Sequence, residues 1–278
     1  MDIAQTEECN KWNLLSLSKY LSVDANCFLE YYNELRSDQK LINGLNERLA
    51  FVKTNYNFSK AIFKKDKIDT IDWFAFERVL IYVLTRHFKP MVCLETGVYY
   101  GGNTAFVLAG LAKNKCGKLI SIDLPDSKIR MLEKPTSRHP LVGDSENYDK
   151  NIQPGFIIPE YLKERWIFVE GDSHKKIPQI SEKIDFYIHD SDHSYEFLLK
   201  EMEFVRPKLS EEGIVLVDDI DWSNGFYAYC VKNNKYPMLF TDNGKDNLRV
   251  RMGLIQNNNK NNSVFEITGF ENRKGNGN

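Results

Sequence analysis

Apolar residues recur at helical spacing from residue 12 to 55, through Leu14, Leu17, Leu21, Phe28, Tyr32, Leu35, Leu41, Leu45, Leu49 and Val52. Two or three helices are predicted there. A polar, lysine-rich stretch from Asn55 to Asp69 separates them from a stronger helical pattern, Ile71 to Phe88, which Pro90 ends. Beyond Pro90 the pattern shortens to apolar runs, each closed by an acidic or small residue: Met91 to Leu94, Leu119 to Ile122, Trp166 to Val169, Ile184 to Ile188 and Ile214 to Val217. Helical or loop segments lie between most of them, the alternation of a parallel sheet with crossover helices. The fold class is therefore α/β, with a helical cap over residues 1–70 and a core over 71–256. The stretch 124–163 breaks the rhythm with Pro125, Pro135, Pro140, Pro154 and Pro159, and its length suits a lid or substrate wall. A polar tail over 257–278, rich in Asn, Lys and Gly, is expected to be partly disordered.

Composition narrows the picture. A chain of 278 residues, 42% hydrophobic and 27% charged, can bury one sizeable core but not comfortably two. Its 37 basic and 39 acidic residues leave a net charge of −2, so nothing favours a polyanionic partner and no nucleic acid is expected. Five scattered cysteines without C-x-x-C spacing read as reduced thiols. The polar start, Met1-Asp2-Ile3 onward, lacks the basic and apolar regions of a signal peptide. No run approaches the roughly 20 apolar residues of a membrane span. The expectation is a cytoplasmic protein with no membrane partner. An exposed apolar face on the N-terminal helices would suit a homodimer.

Chemistry concentrates first in Val92-Cys93-Leu94-Glu95-Thr96-Gly97-Val98-Tyr99-Tyr100-Gly101-Gly102-Asn103-Thr104, a strand running into a glycine turn and then a helix. Such a turn lets a ligand approach the main chain and the helix start. The dinucleotide fingerprint is not met, because Tyr99 stands at its second glycine, and no Gly-Lys-Ser/Thr of a P-loop follows. The remaining Glu-x-Gly-x-x-x-Gly carries a carboxylate, which suits a cationic or hydroxyl-bearing ligand better than a phosphate. Asp123 closes the next strand, about where Rossmann-type folds bind a ribose diol. A third strand ends in Gly171-Asp172-Ser173, where a carboxylate and a hydroxyl can meet an adenine.

Together these strand ends resemble the cofactor motifs of class I S-adenosylmethionine-dependent methyltransferases, over roughly residues 90 to 220. The resemblance implies a Rossmann-like, mostly parallel seven-stranded sheet with helices on both faces. It assigns Glu95 and Gly97 to the methionine end of the cofactor, Asp123 to the ribose, and Asp172 and Ser173 to the adenine. Tyr99, Gly101, Asn103 and Thr104 of the same turn, and Asp190 beside it, complete the expected cofactor-binding set.

A second constellation is Ile184-Asp185-Phe186-Tyr187-Ile188-His189-Asp190-Ser191-Asp192-His193-Ser194-Tyr195-Glu196, followed by a strand ending in Asp218-Asp219. In an open α/β sheet these acids gather at the carboxyl ends of the strands, near Glu95. Clustered carboxylates need protonation, a basic partner or a hard cation, and oxygen-only ligands suit Mg²⁺. The run resembles the macrocin O-methyltransferase and cephalosporin-hydroxylase-like group, and echoes cation-dependent catechol and caffeoyl-CoA O-methyltransferases. That resemblance implicates Asp190, Asp218 and Asp219 as metal ligands, although Ser191 stands where the group commonly has glycine. His193 and Asp190 are the catalytic candidates, His193 as general base because its ordinary pKa lies near neutrality. His189 reads as a packing or cofactor contact. Tyr99, Tyr100, Tyr195, Trp222, Phe226 and Tyr227 are candidate walls.

The expected activity is an O-methyltransferase acting on a hydroxyl of a small molecule, a sugar or natural-product scaffold, with S-adenosylmethionine and a divalent cation. Two rivals stand beside it: a nicotinamide-type Rossmann oxidoreductase, and a non-catalytic S-adenosylmethionine-binding partner protein.

Overall fold

A computed structural model of the chain describes residues 3–55, 71–124, 154–243 and 248–258. Most of the expected tail and most of the proline-rich insertion lie outside the described residues. The cap is three helices, α1 (Ile3–Leu21), α2 (Ala25–Ser37) and α3 (Gln39–Asn55). Their periodic leucines are the buried ones, Leu14, Leu17, Leu35, Leu41 and Leu45 among them. Asp24 starts α2 by accepting from the Asn26 amide, and Asp38 starts α3 by accepting from the Leu41 amide at 3.0 Å.

Helix α4 (Phe76–Phe88) is shorter than its apolar pattern predicts. Residues 71–75 instead turn on Asp72, whose side chain accepts from the Phe74 amide at 2.9 Å and whose carbonyl accepts from Ala75. A local side-chain bond here outcompetes the helix. Every residue of α4 from Arg78 to Thr85 is buried, so this helix belongs to the core rather than to a surface layer.

The core alternates β1 (Val92–Thr96), α5 (Gly102–Asn114), β2 (Lys118–Asp123), β3 (Trp166–Glu170), α6 (Ser173–Lys176), β4 (Ile184–His189), α7 (Tyr195–Val205), β5 (Leu209–Val217) and α8 (Gly225–Lys232). Two further strands, β6 (Met238–Asn243) and β7 (Leu248–Gln256), complete a seven-stranded sheet in the order β3-β2-β1-β4-β5-β7-β6. Strands β1 to β5 run parallel; β7 is antiparallel to both neighbours. This is the Rossmann-like, mostly parallel fold expected from the sequence.

The two faces of the sheet divide by the pleat. Cys93 of β1 and Phe186 and Ile188 of β4 pack with α4 and α5, whereas Leu94, Tyr187 and Val215 pack with α7 and α8. Just past the strands, main-chain bonds stitch one tip to the next: Gly97 N–H to Ile122 C=O, Asp190 N–H to Thr96 C=O, Gly171 N–H to Asp123 C=O, and Asp218 N–H to His189 C=O. The functional side chains thus stand on a rigid rim. No helix among the described residues is long and apolar enough to cross a membrane.

Candidate active site

The glycine turn after β1 is braced from within. Asp123 Oδ2 accepts from the Val98 and Tyr99 amides at 2.8 and 2.9 Å, and its Oδ1 accepts from Leu124. The Gly101 amide donates to Val98 C=O, and Tyr99 holds a left-handed φ of 49°. Four amides that a pyrophosphate would seek, those of Gly97, Val98, Tyr99 and Gly101, are therefore already committed to protein oxygens. The end of the long insertion lies against the same turn, with Gly155 N–H bonded to Tyr99 C=O and Ile157 N–H to Tyr100 C=O.

Glu95 points to the α5 side of the sheet and is fully buried. Its Oε2 accepts from Thr104 Oγ1 at 2.9 Å and Ser121 Oγ at 2.6 Å, while Oε1 has no partner. Burial raises its pKa from 4.5 to about 7, outweighing the two hydroxyl donors, and Asp123 and Glu77 add to the rise. A carboxyl raised in the folded state binds more protons than in the unfolded chain, so its contribution is fully present below pH 4.5 and is lost as pH rises toward 7. In urea titrations of the apoprotein, Glu95→Gln should therefore gain about 2 kcal/mol relative to wild type between pH 5 and pH 8. An unchanged gap would show that Glu95 is ionised throughout.

The acids of the second constellation come together as expected, but with partners the sequence did not reveal. Oxygens of Glu77, Asp190 and Asp218 all lie within 4.8 Å of one another. Asn103 Nδ2 donates to both Glu77 Oε1 and Asp190 Oδ2, bridging the two carboxylates. Asp219 turns instead to β7, where Arg251 Nε lies 2.9 Å from its Oδ1; Arg251 Nη2 also meets Asp218 Oδ2 at 3.2 Å. Asp218 is 5% exposed, and its Oδ1 is buried without a partner. Burial and the neighbouring acids push Asp190 and Asp218 well above the usual carboxylate range, and Arg251 only partly offsets this.

His193 Nε2 stands 3.9 Å from both Asp190 Oδ1 and Asp219 Oδ2. Burial, then the neighbouring His189, lowers its pKa to about 4, which keeps the ring neutral near pH 7. Trp222, 44% exposed, lies beside it with ring centroids 6.0 Å apart. Tyr195 is 42% exposed, whereas Phe226 is wholly buried against Gly253 and forms no wall.

Residues 94–220 match the family model of a methyltransferase domain. Over this stretch, just under half of the chain, the protein is similar to a methyltransferase domain. Solved structures resemble this chain in fold. The cofactor-bound protein Rv0187 from MTB is 12% identical, with 84% of this chain and 96% of that one covered at a TM-score of 0.51. An O-methyltransferase from Bacillus cereus in complex with SAH is 13% identical, with 79% and 91% covered at 0.49. No curated protein matches the chain.

Among the expected site residues, Glu95, Gly97, Tyr99, Gly101, Asn103, Thr104, Asp123 and Asp190 gather at the β1, β2 and β4 tips. Asp172 caps α6 at the β3 tip by accepting from the His174 amide, and Ser173 beside it is buried. Sequence reading missed Glu77, Arg78 and Arg251. Arg78 donates to Tyr100 Oη at 2.6 Å and so pins the glycine turn to α4. A signal existed for the first two: Glu77 and Arg78 are the only charges within an otherwise apolar run from Trp73 to Leu84.

Proposed function

We propose that this enzyme transfers the methyl group of S-adenosylmethionine to a hydroxyl oxygen of a small-molecule acceptor, a sugar or natural-product scaffold. Glu77, Asp190 and Asp218 would hold a divalent cation, Mg²⁺, at the reacting end. One observation carries this reading: an oxygen-only cluster at the strand tips, in which a buried Asp218 oxygen lacks any partner. Such a donor set suits a hard cation. A nicotinamide dinucleotide is disfavoured by the committed amides of the glycine turn and by the reversed β7.

Bound S-adenosylmethionine supplies a methyl group already activated on sulfonium. Glu95, Gly97, Tyr99, Gly101, Asn103, Thr104, Asp123, Asp172, Ser173 and Asp190 would line its place. A bound cation lowers the pKa of an acceptor hydroxyl. His193 Nε2 would take the hydroxyl proton, and Asp190 and Asp219 would then hold the imidazolium. Trp222, exposed beside His193, suits the face of an acceptor ring. None of the five cysteines, all among the described residues, is in a disulfide, in keeping with action in the cytoplasm. Trp12, 62% exposed on α1, offers an apolar contact to a second copy of the chain.

Calorimetry with S-adenosylmethionine and its demethylated product, with and without Mg²⁺, tests the proposal. Binding of both ligands is expected, together with a separate Mg²⁺ isotherm that disappears in Asp218→Asn. Absence of product binding would sink the enzymatic reading. Binding without turnover on any hydroxyl acceptor would favour a non-catalytic partner protein.

A further inference from the structure

Glu95 stands at the inner end of a series of hydrogen bonds that begins at the edge of the sheet. β3 is that edge strand, and its first residue, Trp166, lies half-buried against the core on the α5 side. Its indole Nε1 donates to Ser121 Oγ at 2.9 Å, and Ser121 Oγ donates to Glu95 Oε2 at 2.6 Å. The parallel register sets Ser121 directly beside Glu95 on the neighbouring strand. Thr104 Oγ1 of α5 donates to the same oxygen at 2.9 Å, while Glu95 Oε1 stays buried and without a partner.

What each group can do fixes the direction of these bonds. An indole N–H only donates, so Ser121 Oγ accepts from Trp166, and its single proton is left for Glu95. Without the indole, the hydroxyl is free to rotate and the two oxygens of Glu95 lose their distinction. The ring is held in its turn. A Cβ at Gly155 would lie 2.4 Å from Trp166 Cη2, so the indole rests directly on a glycine whose amide is bonded to Tyr99 C=O. A buried acceptor seldom goes without a donor. Burial raises the Glu95 pKa to about 7 despite its two hydroxyl partners, as befits a carboxylate still one donor short. A cationic N–H would supply that donor, and the methionine end of S-adenosylmethionine carries an ammonium.

We infer that Trp166 is a positioning residue for Glu95: through the Ser121 hydroxyl it commits Oε2 and leaves Oε1 open to the ammonium at the amino-acid end of the cofactor. That role rests on the proposed binding of S-adenosylmethionine; the hydrogen bonds themselves do not. Trp166 acts at a distance, two hydrogen bonds away from the oxygen it keeps open.

Calorimetry on the full chain with two nucleosides separates this role from a merely structural one. S-adenosylhomocysteine, the demethylated product, carries the amino-acid end, and 5′-methylthioadenosine lacks it. Preference for the first over the second should fall by roughly tenfold in Trp166→Phe, the lower end for a hydrogen bond to a charged group. In a Ser121→Ala background the same change should move that preference by less than about 2-fold, because the route is already cut. A preference unmoved in a folded Trp166→Phe overturns the inference, and so does an equal fall in both backgrounds. Wild type supplies a check that needs no variant. The Trp166 indole N–H, identified by its nuclear Overhauser contact with Gly155, should exchange slowly with solvent; exchange as fast as that of a free indole also overturns the inference. Wild type that binds neither nucleoside ends the cofactor reading and the positioning role with it, whereas binding of both with an unmoved preference ends the positioning role alone.

Discussion

A Gly97→Ala chain is expected to lose more than about 3 kcal/mol of stability, and with it binding of S-adenosylmethionine. Gly97 sits at the tip of β1 with φ of +83°, where an L side chain is strained. A Cβ there would lie 1.9 Å from the Asp190 carbonyl oxygen and 2.6 Å from its carbon. Neither strand can withdraw easily, because Gly97 N–H is bonded to Ile122 and Asp190 N–H to Thr96. The clash therefore separates the β1 and β4 tips, which carry the glycine turn and Asp190. Urea titration of the variant measures the first effect and calorimetry the second; a wild-type midpoint would mean that these loops do not meet as described.

The next largest effect should distinguish two sets of cation ligands. Mn²⁺ binding, followed by electron paramagnetic resonance, is expected to weaken by roughly 100-fold in Glu77→Gln and in Asp218→Asn. Asp219→Asn should weaken it by less than about 3-fold, because Asp219 is engaged by Arg251 at the edge of the cluster. If Asp219→Asn were the most damaging change, the three aspartates suggested by the motif would hold the ion and Glu77 would not.

Much of this architecture is legible in the sequence. The five apolar runs after Pro90 fall on strands β1 to β5, save Met91 just ahead of β1, since a buried parallel strand needs a near-continuous apolar segment that few other structures require. The last two strands are harder to read. β7 places Arg251 between Val250 and Met252, so the polar residue that meets Asp218 and Asp219 interrupts the apolar run that would announce the strand. The cluster acids on strand tips were also readable, because topology alone sends the ends of β4 and β5 to one edge of the sheet. Glu77 stands out as a charge in an apolar run, but its place in the cluster was not readable, since its helix precedes the sheet and nothing local states where that helix packs. Asp123 shows a further limit. Its position at the end of β2 follows from pattern, but the bonding of its oxygens to the Val98 and Tyr99 amides depends on how a separate turn folds.

The burial of α4 bears on which ions the cluster would accept. Glu77 is rooted in the first turn of a helix whose following residues are enclosed by the core, and Asn103 ties its carboxylate to Asp190. A ring of oxygens anchored this firmly has little freedom to widen. It should therefore discriminate by ionic radius, favouring a small ion content with a compact octahedron over a large one that gathers six to eight oxygens at longer range.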